Sequence, residues 1–540
     1  MPAMRPAISA GTAATPAAPE PGNRQRRGAD RQLAEREHWE FRHKATDKTQ
    51  DYFNAPYGEQ KPAPPNTEAY DAIVENPFQK TLDQPLSTFS VDVDTASYAN
   101  VRRFLNEGQL PPPGAVRIEE LVNYFTYNDA PPTNHEPFAV HAEVAGCPWN
   151  PAHRLVRFGL KGRVIAQDKR PLSNLVFLLD VSGSMNQPNK LPLVKESLKL
   201  LTKQLGENDR VAIVVYAGAS GLALPSVCGD QQPTISEALD RLAAGGSTNG
   251  GEGLQLAYNI AEQHKIPGGV NRVILCTDGD FNVGVTNRSE LVQAVTDRAK
   301  AGISLTVLGF GMGNLKDSTM EQLADKGNGN YGYIDTLQEA QKMLVEQINS
   351  TLVTIAKDVK IQVEFNPRMV AGYRLIGYEN RTLAAADFQD DKKDAGEIGA
   401  GHNVTALYEV VPTGSDVAAL PNVAALRYQQ PTALTPEASS NEMLTLKLRY
   451  KAPDGDTSAE IKFTLKDAGA EFAQASEDFR FSAAVAAFGL LLRNSAHKGE
   501  ATYPAVLEWA SMAVGSDRQG YRREFVDMLR RSGSLVVSQR

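Results

Sequence analysis

The sequence predicts an α/β protein: a doubly wound, mostly parallel sheet inserted between β-rich flanks, with a helical C-terminal segment. Three observations carry this. Between about 172 and 356, apolar runs at 175–179, 211–215, 273–276 and 305–310 alternate with amphipathic helix patterns. Strands that are apolar throughout are covered on both faces, and their alternation with helices implies a parallel sheet. On either side, at 138–144, 154–160, 359–365, 404–411, 443–450 and 461–465, strand-like runs follow one another without that alternation. From about 475 to 531 the pattern is helical.

In chain order, residues 1–66 read as a disordered tether, rich in Ala, Pro and Gly, then in mixed charge, and ending in Lys61-Pro62-Ala63-Pro64-Pro65. The N-terminal β-rich flank spans 67–166. In it Phe89, Val91 and Val93 alternate with polar residues, and a helix over 116–124 follows the breaker Pro111-Pro112-Pro113-Gly114. The α/β domain spans 167–356. Leu191, Val194, Leu198, Leu201 and Leu205 form one helical stripe, and Leu337, Leu344, Ile348, Leu352 and Ile355 a closing one. A C-terminal β-rich domain follows over 357–474, with loops expected at 390–401 and 412–421. Its strands and those of the N-terminal flank are expected to join in one sandwich. Residues 475–540 form the helical region, where Phe481, Val485, Phe488 and Leu492 read as core packing.

Composition narrows the function. The chain has 540 residues and is 41% apolar, enough for several cores; 56 basic against 64 acidic residues give a net charge of −8, which argues against a nucleic-acid partner. Cys147, Cys228 and Cys276 lie far apart, without metal spacing or a disulfide framework. No apolar run reaches the length of a transmembrane helix. Residues 1–44 show no apolar signal region, so either the protein is cytoplasmic or its true start lies upstream of Met1.

The chemistry is concentrated at strand ends. Asp180-Val181-Ser182-Gly183-Ser184 follows the apolar run at 175–179 and offers one carboxylate and two hydroxyls. Thr248 lies in the glycine-rich loop at 245–251, and Thr277-Asp278-Gly279 ends the run at 273–276. Ligands of doubly wound sheets bind beyond the carboxyl ends of the strands. Oxygen-only donors suit a hard cation, Mg²⁺ or Mn²⁺, better than zinc. A lone Asp-x-Ser-x-Ser is more often a turn than a ligand set; its coincidence with two further loops favours the metal. Asp280 reads as solvated or as a neighbour of the ligands.

This set resembles the metal-ion-dependent adhesion site of von Willebrand factor type A domains, a Rossmann-like fold, and is complete at all five positions. The resemblance implies that Ser182, Ser184 and Thr248 bring hydroxyls to the metal, that Asp180 and Asp278 bind it directly or through water, and that a protein partner's Asp or Glu takes the sixth position. The segments 85–98, 116–125 and 277–284 further resemble the bacterial YfbK-like family. That resemblance implies a cell-envelope location, often by a lipid anchor, although neither a signal peptide nor a lipobox cysteine is present in the sequence as written.

Asp92-Val93-Asp94-Thr95-Ala96-Ser97 echoes the first motif, but a helix cap at Thr95 or Ser97 is favoured there over a second metal site. The P-loop, His-Glu-x-x-His and Gly-x-Ser-x-Gly signatures are missing. The expectation is therefore a non-enzymatic, metal-dependent protein-binding module, with loops 186–190 and 281–288 setting specificity. The alternatives are a structural envelope protein with a fold-stabilising metal and, less favoured, a Mg²⁺-dependent hydrolase.

Overall fold

The computed structural model describes residues 68–166, 169–248, 250–279, 288–313, 315–415, 420 and 434–538; the expected tether lies outside them. The described chain opens with β1 (Gln79–Lys80), β2 (Leu86–Ser90), α1 (Ala96–Asn106), α2 (Ile118–Asn123), β3 (Phe138–Gly146) and β4 (Arg154–Gly162). The α/β unit begins with β5 (Ser173–Asp180), α3 (Leu191–Thr202), β6 (Arg210–Tyr216), β7 (Ser220–Cys228), α4 (Gln232–Asp240) and α5 (Gly250–Gln263). It continues with β8 (Val270–Thr277), α6 (Arg288–Lys300), β9 (Ser304–Phe310), α7 (Asp317–Lys326), β10 (Tyr331–Ile334), α8 (Leu337–Gln341) and α9 (Ile348–Leu352). Strands β11 (Thr354–Phe365), β12 (Val370–Ile376), β13 (Gly396–Gly399), β14 (Asn403–Pro412), β15 (Leu444–Lys451) and β16 (Ser458–Leu465) follow. Helices α10 (Glu477–Leu492), α11 (Tyr503–Ser511) and α12 (Tyr521–Ser538) close the described chain.

The central sheet has the order β10-β9-β8-β5-β6-β7, parallel except for the edge strand β7. Every residue of β5 is buried. Leu175, Phe177 and Leu179 face Val194 and Leu198 of α3, while Val176 and Leu178 face Leu254 and Ala257 of α5. An unbroken apolar run is what a strand between two helical layers requires, and each such side chain contributes about 1.5–3 kcal/mol by burial. Gly253 lets α5 close on the sheet, since a Cβ there would stand 2.8 Å from Cβ of Tyr216.

Two antiparallel sheets make up the flanks. One runs β1-β12-β14-β4-β3; the other runs β13-β11-β15-β16, with β2 also on β11. Val156, Phe158, Tyr408 and Val410 of the first share a core with Ile361, Val363, Leu446 and Leu448 of the second. Strands from before and after the α/β unit pair directly, β4 with β14 and β2 with β11. The α/β unit is thus inserted between β-rich flanks.

The C-terminal helices are not an appendage. Phe481 and Phe488 of α10 and Phe525 of α12 pack with Phe125, just past α2, and with Trp149. Phe125 and Phe481 meet edge to face at 4.8 Å, a favoured geometry for aromatic pairs. The expected stripe of α10 is buried, and so is nearly all the rest of that helix.

Three expectations are corrected. The closing stripe is not one helix: α8 and α9 are separated by a turn of π-helix, Lys342–Glu346, and Ile355 belongs to β11. Leu337 is 48% exposed. The β-branched run Val353-Thr354-Ile355 favours strand over a further helical turn. The loop expected at 390–401 contains β13, paired with β11 across bulges. Thr95 does precede α1, but no side chain of its own caps the helix. Instead the backbone N–H of Ser97 donates to Glu120 Oε2 from α2 at 2.7 Å. Among the described residues, no helix is long and apolar enough to cross a membrane.

Candidate functional site

β5 and β8 are parallel neighbours, with Leu179 opposite Cys276. Asp180, the last residue of β5, and Asp278, just past β8, therefore leave the sheet at the same edge. Both are 0% exposed. Asp180 Oδ1 accepts the N–H of Ser182 at 2.9 Å, and its Oδ2 accepts from Tyr216 Oη and Thr277 Oγ1, each at 3.3 Å. Burial pushes the Asp180 carboxyl up to about 6 against the hydrogen bonds of Ser182, and the charge of Asp278 adds to the rise. Burial thus disfavours the charged form of Asp180 despite its three hydrogen bonds.

The first loop turns immediately. Gly183–Met185 form one turn of 3₁₀-helix, with Met185 buried as its plug and the hydroxyls of Ser182 and Ser184 at 3.0 Å. Two backbone bonds zip this loop to the glycine-rich one: Gly245 N donates to Val181 O at 2.7 Å, and Gly183 N to Gly246 O at 3.0 Å. Thr248, half-buried, follows two residues beyond Gly246, just ahead of α5. The shared edge brings together Asp180, Ser182, Ser184 and Asp278; Thr248 stands two residues from the bond that ties the loops. Asp280 and most of the 281–288 loop lie outside the described residues. Of the other expected specificity loop, Asn186, Gln187 and Pro188 are exposed.

Among the described residues, no three or more His, Cys, Asp or Glu side chains gather as a metal site. What this edge offers is two carboxylates and neutral hydroxyls, a donor set that fits Mg²⁺ or Mn²⁺. Three neighbours make contacts that the sequence reading did not foresee. Tyr216 and Thr277 come from strand ends beside the first carboxylate. Lys190, at the start of α3, reaches Asp278 Oδ2 with its ammonium at 2.7 Å and is 2% exposed. A lysine in a stretch of polar loop residues carries no sequence signal of burial.

Comparison with known proteins agrees with this architecture. The model of the von Willebrand factor type A domain matches residues 174–366. A model described as von Willebrand factor matches 64–157, and one described as the C-terminal part of the uncharacterized protein YfbK matches 350–535. YfbK of Escherichia coli (strain K12) is 45% identical over 474 residues, covering 86% of this chain and 81% of that one. The inter-alpha-trypsin inhibitor heavy chain H4 of Homo sapiens is 29% identical over 165 residues, 29% of this chain and 17% of that one. Among solved structures, a von Willebrand factor type A protein from Catenulispora acidiphila is 15% identical with a TM-score of 0.41, covering 74% of this chain and 91% of that one. Domains of this type often serve as protein-interaction modules. Matched over most of both lengths, the chain belongs to the bacterial YfbK-like family of von Willebrand factor type A domain proteins.

Proposed function

We propose that the chain is a metal-ion-dependent protein-binding module. Mg²⁺ or Mn²⁺ is held by Asp180, Ser182, Ser184, Thr248 and Asp278, and an Asp or Glu of a partner protein completes the coordination. The observation that supports this most is the pair of fully buried carboxylates at adjacent strand ends, beside two hydroxyls 3.0 Å apart. Neutral hydroxyl donors leave the ion with an open coordination position, which an outside carboxylate fills. An envelope location, expected from the family resemblance, goes with this reading, and fractionation of the producing cell tests it.

The deciding experiment is calorimetric titration of Mg²⁺ and Mn²⁺ into chelator-stripped protein, with Asp180→Ala beside it. Saturable binding at about one site, lost in the variant, is the expected result. An acidic peptide is then retained by the metal-loaded protein and released by EDTA. Absence of binding in the wild-type protein, with or without acidic peptide, overturns the reading.

A further inference from the structure

We propose that Lys190 is a tethered counter-cation that holds Asp278 when no metal is bound and has to leave it for a divalent cation to enter. The inference rests on the metal-site reading above and concerns the regulation of that site.

The geometry is specific. Lys190 comes ten residues after Asp180, on the same loop that carries Ser182 and Ser184. Its backbone is anchored at the start of α3: its N–H donates to Gln187 O at 3.0 Å, and its carbonyl accepts from Val194 N at 2.9 Å. Its stem crosses the backbone just past β9 at Gly311, whose φ is +71°, and a Cβ there would overlap Cγ and Cε of Lys190. The channel for the stem is therefore open only because residue 311 is glycine. At its end the ammonium is 2.7 Å from Asp278 Oδ2, with the two side chains 2% and 0% exposed.

Charge balance makes the two cations competitors. The carboxylates of Asp180 and Asp278 carry two negative charges, which one divalent ion cancels. An ammonium kept on Asp278 beside that ion leaves a buried net positive charge, which is strongly unfavourable in a poorly solvated site. It also occupies an oxygen the ion needs. Without the ion, the same ammonium pairs with the buried Asp278 carboxylate. The loop that brings the hydroxyls to the site thus also carries the group that keeps it closed.

The test titrates Mn²⁺ and Mg²⁺ into chelator-stripped full-length wild-type protein, Lys190→Met and Lys190→Arg. Removing the internal competitor tightens Kd by about tenfold or more in Lys190→Met, whereas Lys190→Arg does not tighten it. Equal Kd values in wild type and Lys190→Met overturn the inference and leave the metal-site reading standing. Binding by none of the three removes both. A second measurement needs no variant: Lys190 is mapped by amine-reactive labelling with and without saturating Mn²⁺. Labelling of Lys190 rises by at least about fivefold on metal addition, while that of the exposed Lys203 stays constant. Unchanged protection of Lys190 at saturation contradicts the displacement.

Discussion

Among the described residues, two buried acidic pairs lie at strand ends, and their surroundings differ. Asp180 and Asp278 lie at the edge of the central sheet among hydroxyls, with one tethered ammonium near them. Asp92 and Asp94, just past β2, are 4% and 7% exposed, and the guanidinium of Arg381 reaches both. Arg381 reaches Asp325 at 2.7 Å, Asp92 and Glu321 at 3.4 Å each, and Asp94 at 3.8 Å. Arg117 pairs with Glu120 and Asp317 at 3.0 Å each, and also with Glu321. These contacts join the N-terminal flank, α7 of the central unit and the segment after β12. Planar, always-charged guanidinium groups are fixed counter-charges in such a cluster, yet burial and the charge of Asp92 still hold the Asp94 carboxyl well above the usual range. The difference teaches that buried carboxylates can be met in two ways, by fixed guanidinium groups or by hydroxyls and a lysine.

The largest effect expected is at this cluster of Arg117, Arg381 and their carboxylates, the clasp. Arg381→Met leaves Asp92, Asp94 and Glu321 buried with one guanidinium fewer, and is expected to lower the unfolding free energy by about 3–5 kcal/mol in urea titration. Metal titration of the surviving folded fraction should be unchanged. A loss below about 1 kcal/mol would place the cluster among weak surface pairs and erase the contrast.

The clasp should also show a pH dependence. Glu119, at the start of α2, is 2% exposed; burial pushes its carboxyl up to about 7, with repulsion from Glu379 and Asp92 adding to the rise against the pull of Arg493. The native state therefore binds this proton more tightly than the unfolded chain. The stabilisation is fully present below the unfolded value, near 4.5, and is lost as pH rises through about 7. Glu119→Gln should remove a dependence on the order of 2–3 kcal/mol between those limits, read from urea midpoints across pH. Identical pH profiles for the two proteins would show that Glu119 is not the source.

At the sheet edge, the ion itself should act as a ligand of the folded state. At about ten times its Kd, Mg²⁺ is expected to add about 1.4 kcal/mol of stability to the wild-type protein and none to Asp180→Ala. Thermal unfolding with and without EDTA measures it. Equal shifts in both proteins would locate the effect elsewhere.

The same contrast explains what could be read from the sequence. The edge site was legible because its groups are local to strand ends: Asp180, Ser182 and Ser184 share five consecutive residues, and Thr277-Asp278 closes an apolar run. The central strands were legible because burial on both faces leaves a contiguous apolar signature. The clasp was not legible, since Arg381 lies 289 residues from Asp92 and no local pattern links them. Lys190 was hidden for a related reason, because its burial depends on Gly311 after a strand far along the chain. β7 was missed because Gly221 and Pro225 interrupt it, which an edge strand tolerates. The packing of α10 against α2 joins opposite ends of the described chain, and only the stripe Phe481, Val485, Phe488 and Leu492 announced it.

The smallest effect discriminates most finely, because it is a near-zero value at one pair set against a loss at the other. Asp180→Asn keeps an acceptor for the N–H of Ser182 and removes a charge facing Asp278. Burial raises the native carboxyl to about 6, so ionising it at pH 7 costs more in the folded protein than in the unfolded chain. The metal-free variant should therefore lie within about 1 kcal/mol of wild type, on the stable side. Asp92→Asn also removes one charge from a buried pair, but there it weakens the ion pair that Oδ1 makes with Arg381. It should destabilise measurably in the same urea titration. If Asp180→Asn is the more destabilising of the two, then Asp180 is a structural anchor of the fold rather than a group held ready for an ion.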